Sequence, residues 1–182
     1  FVDKEKNTTI ESDKATYLKD EEIVFTEGNS KAVDANNTIT ASNFKFDRIK
    51  NIINADNNVK FVDKEKNTTI EADKATYLKD EEIIFTEGNS KAVDANNTIT
   101  ASNFEFDRIK NILTANKNVQ FLDTEKNTTI ESDKATYLKN EEIVFTEGNS
   151  RAVDDNNTIT ASNFKFDRIK NILTANKNVQ FL

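Results

Sequence analysis

The chain contains no histidine, cysteine, methionine, tryptophan or proline, and only three glycines in 182 residues. Without His or Cys there is no Ser-His-Asp triad, no Cys-His pair, no imidazole or thiolate metal site and no disulfide. Carboxylates, Lys, Tyr, Ser and Thr remain for chemistry, and no two carboxylates stand apart as an acid–base dyad. An enzyme is not expected, nor any cofactor. Thirty-two acidic residues against 25 basic ones give a net charge of −7, and the pI is about 4.8. Nucleic acid is therefore not an expected partner, because phosphate recognition needs a basic face. No apolar run approaches the roughly 18 residues of a membrane-spanning helix. The first residue is Phe1 and no signal-like segment follows, so the sequence reads as a mature chain or a segment of a longer one.

What is present is repetition. Residues 1–60, 61–120 and 121–180 align without a gap, and residues 181–182 begin a fourth copy. The first and second copies differ at 8 of 60 positions, as do the second and third. This predicts one continuous repeat array over 1–182, each unit burying its apolar side against its neighbours. Such similarity between copies fits recent duplication or an engineered origin.

Each copy divides again into four segments. From Ile83 they are 15, 14, 16 and 15 residues long, and each starts with aliphatic or β-branched residues and ends in an Asp, Asn, Lys or Glu cluster. The polar clusters read as turns. The chain is thus about 12 strands of roughly 11 residues.

Period-two alternation marks strands, but it slips by one residue inside each segment. Ile99 and Ala101 share a face, as do Phe104 and Phe106, yet the two pairs are out of phase across Ser102-Asn103. The same slip falls at Asp73-Lys74 and at Asn57-Asn58. In the fourth segment type Glu87-Gly88-Asn89 marks it, and the inward register stays open: Ile84, Thr86, Ser90 and Ala92 fit by alignment, but Ile83 and Phe85 are more apolar. A mid-strand slip is the sequence sign of a β-bulge, which bends the strand. Bent strands joined by short turns predict an all-β antiparallel meander: a β-jellyroll-like, V-shaped prism about 55 Å long, from 12 strands at ~4.8 Å. A parallel β-solenoid is the rival winding.

The inward set in the first copy is Ile10, Ala15, Tyr17, Ile39, Ala41, Phe44 and Phe46. In the second it is Ile70, Ala72, Ala75, Tyr77, Ile99, Ala101, Phe104 and Phe106. Ile53, Ala55, Val59 and Phe61 lie at the junction of the two. Towards and through the third copy it continues as Val119, Phe121, Ile130, Ala135, Tyr137, Ile159, Ala161, Phe164 and Phe166. These residues either line a greasy track for lipid tails or fill a packed core. The small-then-large order across each bend implies a space that tapers, narrow at one edge and open at the other. Without proline to block them, the terminal strands of a meander pair with other chains, and identical copies favour head-to-tail association. The acidic turns Asp20-Glu21-Glu22 and Asp80-Glu81-Glu82 match no calcium loop and read as solvated turns.

Three stretches carry a family resemblance. They are Thr69-Ile70-Glu71-Ala72-Asp73-Lys74-Ala75-Thr76-Tyr77, then Ala55-Asp56-Asn57-Asn58-Val59-Lys60-Phe61, and Phe85-Thr86-Glu87-Gly88-Asn89 followed by Thr98-Ile99-Thr100-Ala101-Ser102-Asn103-Phe104. Recurring through all three copies, they resemble the OstA-like periplasmic domain of the lipopolysaccharide transport (Lpt) system. The resemblance implies a periplasmic or outer-membrane-associated bridge that shields lipopolysaccharide acyl chains between two facing sheets. It also implies end-to-end joining with other bent-strand domains of the same system. The near-perfect repetition departs from that family. It favours the second expectation, a structural fibre or spacer at the cell surface without lipid cargo.

Overall fold

The computed structural model describes residues 1–182. All 17 strands belong to one antiparallel sheet, in which each bent strand pairs with the one before and the one after it in sequence. Eight run unbroken through their bends, from β4 (Ile23–Val33) and β5 (Asn37–Asp47) to β10 (Ile112–Asp123) and β11 (Thr128–Leu138). Between these lie β6 (Ile52–Asp63), β7 (Thr68–Leu78), β8 (Ile83–Val93) and β9 (Asn97–Asp107). Towards the ends the bend interrupts the strand. β2 (Thr8–Glu11) with β3 (Lys14–Leu18) forms one such bent strand at the N-terminus. At the C-terminus, β12 (Ile143–Glu147) with β13 (Ser150–Val153), β14 (Thr158–Ala161) with β15 (Asn163–Asp167), and β16 (Ile172–Asn176) with β17 (Gln180–Phe181) form three more. The two-residue β1 (Val2–Asp3) precedes them. Because every ladder is antiparallel, the winding is the meander and the parallel solenoid is excluded.

The bends lie where the alternation slips. In the β8–β9 ladder Glu87 pairs with Asn103 and Ser90 with Ala101, so Gly88 and Asn89 oppose Ser102 alone. In the β6–β7 ladder Asn57 and Asn58 oppose Asp73. On every second strand the two extra residues are both left-handed: Asn57 (φ 64°) and Asn58 (φ 55°), Gly88 (75°) and Asn89 (46°), Lys117 (63°) and Asn118 (53°). Asn and Gly tolerate that region best, which explains their place at the bends. The intervening strands bend without a left-handed residue.

Bending swings the two halves of the sheet face to face, and the inner faces form one cluster of 32 buried residues. Phe46, Phe61, Phe106, Phe121 and Phe166 are its largest fully enclosed members. Rings from opposite halves meet edge to face, with Phe121 and Phe166 centroids 6.5 Å apart, a favoured aromatic geometry. In β8, whose register the sequence leaves open, the inward residues are Ile84, Thr86, Ser90 and Ala92, while Phe85 faces out. Two hydroxyls thus enter the core, and they satisfy each other: Thr86 Oγ1 and Ser90 Oγ are 2.7 Å apart, and Thr86 Oγ1 accepts the Phe104 N–H at 3.0 Å. A buried hydroxyl without such a partner would cost stability.

Candidate functional site

The turns lie along two edges of the sheet. One edge presents a cation at the end of each strand pair: Lys19, Arg48, Lys79, Arg108, Lys139 and Arg168. The opposite edge presents Asp3, Asp34, Asp63, Asp94, Asp123 and Asp154. The bend brings these edges together, so the mouth of the V is closed by a seam rather than open, contrary to the tapering, open-edged space expected from the sequence. Arg48 Nε donates to Asp3 Oδ2 at 2.6 Å, Arg108 Nε to Asp63 at 2.7 Å and Arg168 Nε to Asp123 at 2.7 Å. Between them Lys79 Nζ donates to Asp34 at 2.9 Å and Lys139 Nζ to Asp94 at 2.8 Å. Every rung joins residues 45 apart in sequence.

The arginine rungs are dense. Arg108 also donates to Tyr77 Oη at 3.2 Å and pairs with Glu82, and Arg168 does the same with Tyr137 and Glu142. The side chains of Asp63 and Asp123 are fully enclosed and those of Arg108 and Arg168 nearly so. A buried charge needs both an opposite charge and hydrogen bonds. The carboxylates have both, for Lys66 N donates to Asp63 Oδ1 at 2.9 Å and Lys126 N to Asp123 Oδ1 at 3.0 Å. At Asp3 burial opposes ionisation, but Arg48 and the N–H groups of Lys6 and Glu5 outweigh it and hold the carboxyl below its ordinary pKa. Burial pushes the Tyr137 phenol up to about 12, with Asp94 adding to the shift and Arg168 opposing it. Glu82 sits at φ 57°, and its counterparts Glu22 and Glu142 at 56°. At the same point of the alternate turns on this edge the left-handed residue is Asn51, Asn111 or Asn171. Glutamate is costlier there than asparagine, and its pairing with arginine accounts for its presence.

Most of the inward candidates are buried: all those of the second copy and the junction, with Ile10, Ile39, Ala41, Phe44 and Phe46 before them and Val119, Phe121, Ile130, Ala135, Tyr137, Ala161, Phe164 and Phe166 after. Three differ. Ala15 is exposed, and Tyr17 and Ile159 are half-buried. Ala15 and Tyr17 lie on β3, the terminal strand of its half, and Ile159 lies next to the end, covered only by the two-residue β17 through Phe181. Core members absent from the inward set are Val24, Ala32, Leu113, Ala115, Val144 and Ala152. Their positions repeat those of Ile84, Ala92, Ile53 and Ala55, so extending the alignment would find them. The seam residues carried no comparable signal, since each partner lies three strands away.

At the two ends the seam is incomplete. Lys19 has no acidic partner and Asp154 has no cationic one; Asp154 accepts only from its own turn, the N–H groups of Asn156 (3.1 Å) and Asn157 (2.9 Å) and the Asn157 amide. Asn37 and Asn97 are buried and donate to Tyr77 Oη (3.3 Å) and Tyr137 Oη (3.2 Å), whereas their counterpart Asn157 is exposed. Beside it a cavity of about 160 Å³ opens into the core between Ile159, Phe166 and Leu173.

The molecule is thus a tandem-repeat β-prism of bent antiparallel strands, closed lengthwise by a seam in which Lys19 and Asp154 are left unpaired. No protein-family model matches the sequence, and no curated protein matches it. Among solved structures it is similar to LptH, the LptA homologous periplasmic component of the conserved lipopolysaccharide transport device from Pseudomonas aeruginosa. That similarity covers 100% of this chain and 97% of LptH, at 11% identity and a TM-score of 0.30.

Proposed function

We propose that the chain is a non-catalytic bridge that lengthens by joining end to end with further copies, one continuous repeat array per chain. The observation that carries this is the constant 45-residue rung. Phe181 occupies the repeat position of Phe1, so a following copy continues the count. Its Lys19 then falls 45 residues after Asp154, and its Tyr17 falls 40 after Asn157, the separation of Asn97 from Tyr137. Its β3 meets β16 in the register of Ile112 with Leu138 and Ala115 with Ala135, so Ile172 pairs with Leu18 and Ala175 with Ala15. Phe181-Leu182 and the incoming Phe1-Val2 compete for one place, and one exposed dipeptide gives way. Unpaired edges of this kind template strand addition, and a heterologous contact that does not close gives a filament.

A charge exchange tests the reading. The expected result in sedimentation velocity is a concentration-dependent series of oligomers. Lys19→Glu places two carboxylates at the joint and weakens association by at least about tenfold. Lys19→Glu combined with Asp154→Lys restores it. A wild-type chain that stays monomeric, or a Lys19→Glu variant that assembles unchanged, refutes the proposal.

A second reading is a periplasmic bridge of the lipopolysaccharide transport type, with acyl chains between the sheets. The sequence resemblance supports it, as does the cavity that opens into the core at Leu173 and Phe166. On this reading a chain enters from that end and displaces core side chains, and the signature is a lipid adduct that survives purification.

A further inference from the structure

The outer face of the prism near its cation-bearing edge carries a row of apolar clusters, separated once per repeat by Asp47, Asp107 and Asp167. Ile52, Leu78 and Ile83 are hydrogen-bonded neighbours there, and Ile112, Leu138 and Ile143 repeat them. One row further in, Phe25, Phe85 and Phe145 point outward with 37%, 38% and 38% of their surface exposed. Successive phenylalanines are four strands apart, about 19 Å at ~4.8 Å per strand. An apolar strip of this kind, rimmed by charge, marks an interaction surface.

The charge pattern names the occupant. Each Phe pairs across the ladder with one charged residue: Phe25 with Lys45, Phe85 with Glu105, Phe145 with Lys165. All three charged residues are exposed. This is the only position of the repeat at which charge reverses sign between copies. Asp47, Asp107 and Asp167 in the neighbouring row are each paired with the lysine three residues on, so the net charge along the row reads plus, minus, plus. Two copies laid face to face in full register, parallel or antiparallel, oppose like charges at every step. Staggered by one repeat about a two-fold axis, they oppose Lys45 to Glu105 twice, or Glu105 to Lys165 twice. A groove of about 230 Å³ beside Phe85, between Asn54, Thr76 and Glu87, has room for the partner's aromatic ring.

We propose that this face binds a second copy of the chain side by side, antiparallel and staggered by one repeat, with the alternating charge at 45, 105 and 165 selecting the register. Such an isologous contact closes on itself as a dimer, and like charges opposed across it disfavour the unstaggered alignments. It goes beyond end-to-end joining and uses different residues.

The test uses the full chain carrying Lys19→Glu, which blocks the ends, so that failure of this proposal and failure of end-to-end joining give different results. At low ionic strength this protein sediments as a dimer, which weakens as salt is added. Glu105→Lys makes the row all positive and lowers dimer affinity about tenfold or more, and Lys45→Glu with Lys165→Glu makes it all negative and does the same. Mixing the two variants restores a one-to-one pair. A Glu105→Lys protein that dimerises like its parent, a mixture that does not pair, or a parent that stays monomeric overturns the proposal. So does a strip that binds anionic phospholipid vesicles in place of a second copy.

Discussion

The guanidinium of Arg108 lies 2.7 Å from the carboxylate of Asp63, though the two residues sit on opposite edges of the sheet and 45 positions apart. That contact converts an open bent sheet into a closed prism. It also sets the translation at which every other rung, and each unfinished end, must be read.

Arg108→Met is expected to destabilise the protein by about 3–5 kcal/mol, because it leaves the enclosed Asp63 carboxylate and the strained Glu82 without their cation. Replacing the pair, Arg108→Met with Asp63→Leu, recovers most of the loss. Urea denaturation checks both, and equal losses for the single and double variants would mean that the seam does not depend on this pair.

The buried phenol gives an alkaline limit. Tyr137 has its pKa raised from 10.0 to about 12 in the folded chain, through burial first and Asp94 second. A proton held more tightly in the folded state adds stability below the unfolded pKa. That stability is lost as pH rises through the folded value. The melting temperature should therefore be level up to about pH 9 and fall between about pH 10 and 12. Tyr137→Phe should lower the melting temperature at neutral pH, where Arg168 and Asn97 each lose an acceptor, and flatten that alkaline fall. A fall of the same depth in the variant would assign it to other groups.

Gly88 holds φ 75°, and a Cβ there would run into Asp73 Oδ2. Gly88→Ala is expected to cost at least about 1–2 kcal/mol from the backbone alone. Adding Asp73→Ala removes the Oδ2 and Cγ contacts, leaving only a tight Cβ contact at 3.0 Å and the backbone strain, so thermal denaturation should show a partial recovery. Full recovery would mean that the left-handed bend tolerates a side chain.

End-to-end joining should have an acid limit. The N–H of Asn156 and the amide of Asn157 hold Asp154 below its ordinary pKa of 3.8. A carboxylate with a depressed pKa keeps its contribution above the ordinary value and loses it as pH falls through the lowered one. Oligomers should persist at about pH 4.5 and still at pH 3.8, and dissociate only as pH falls through the lowered value. Sedimentation on both sides of pH 3.8 checks this. Oligomers lost already above pH 3.8, or unchanged at about pH 2 where the carboxylate is protonated, would show that Lys19 and Asp154 do not make the joint.

Much of the fold is legible in the sequence because bending leaves a local mark. The slip at Asn57-Asn58 and the bend at Gly88-Asn89 are visible within a few residues, but the inward register of Ile84 and Ala92 is not, because their outward neighbours Ile83 and Phe85 are more apolar. The exposure of Ala15 is not, because it depends on β3 being terminal rather than on any neighbour in sequence. The seam is less legible still. Asp63 and Arg108 each look like ordinary turn residues, and only the three-strand offset between the two halves of the sheet brings them together. The closed mouth, the point on which an open lipid track and a packed core diverge, was therefore beyond sequence reading.

The most direct test of a closed prism that joins end to end is native mass spectrometry of the purified chain, before and after incubation with lipopolysaccharide or palmitate. The account predicts a ladder of whole-chain oligomers at unchanged subunit mass, with Lys19→Glu collapsing the ladder. A monomer that gains one or a few lipid masses, and no ladder, would contradict it and establish that the sheets part to admit an acyl chain.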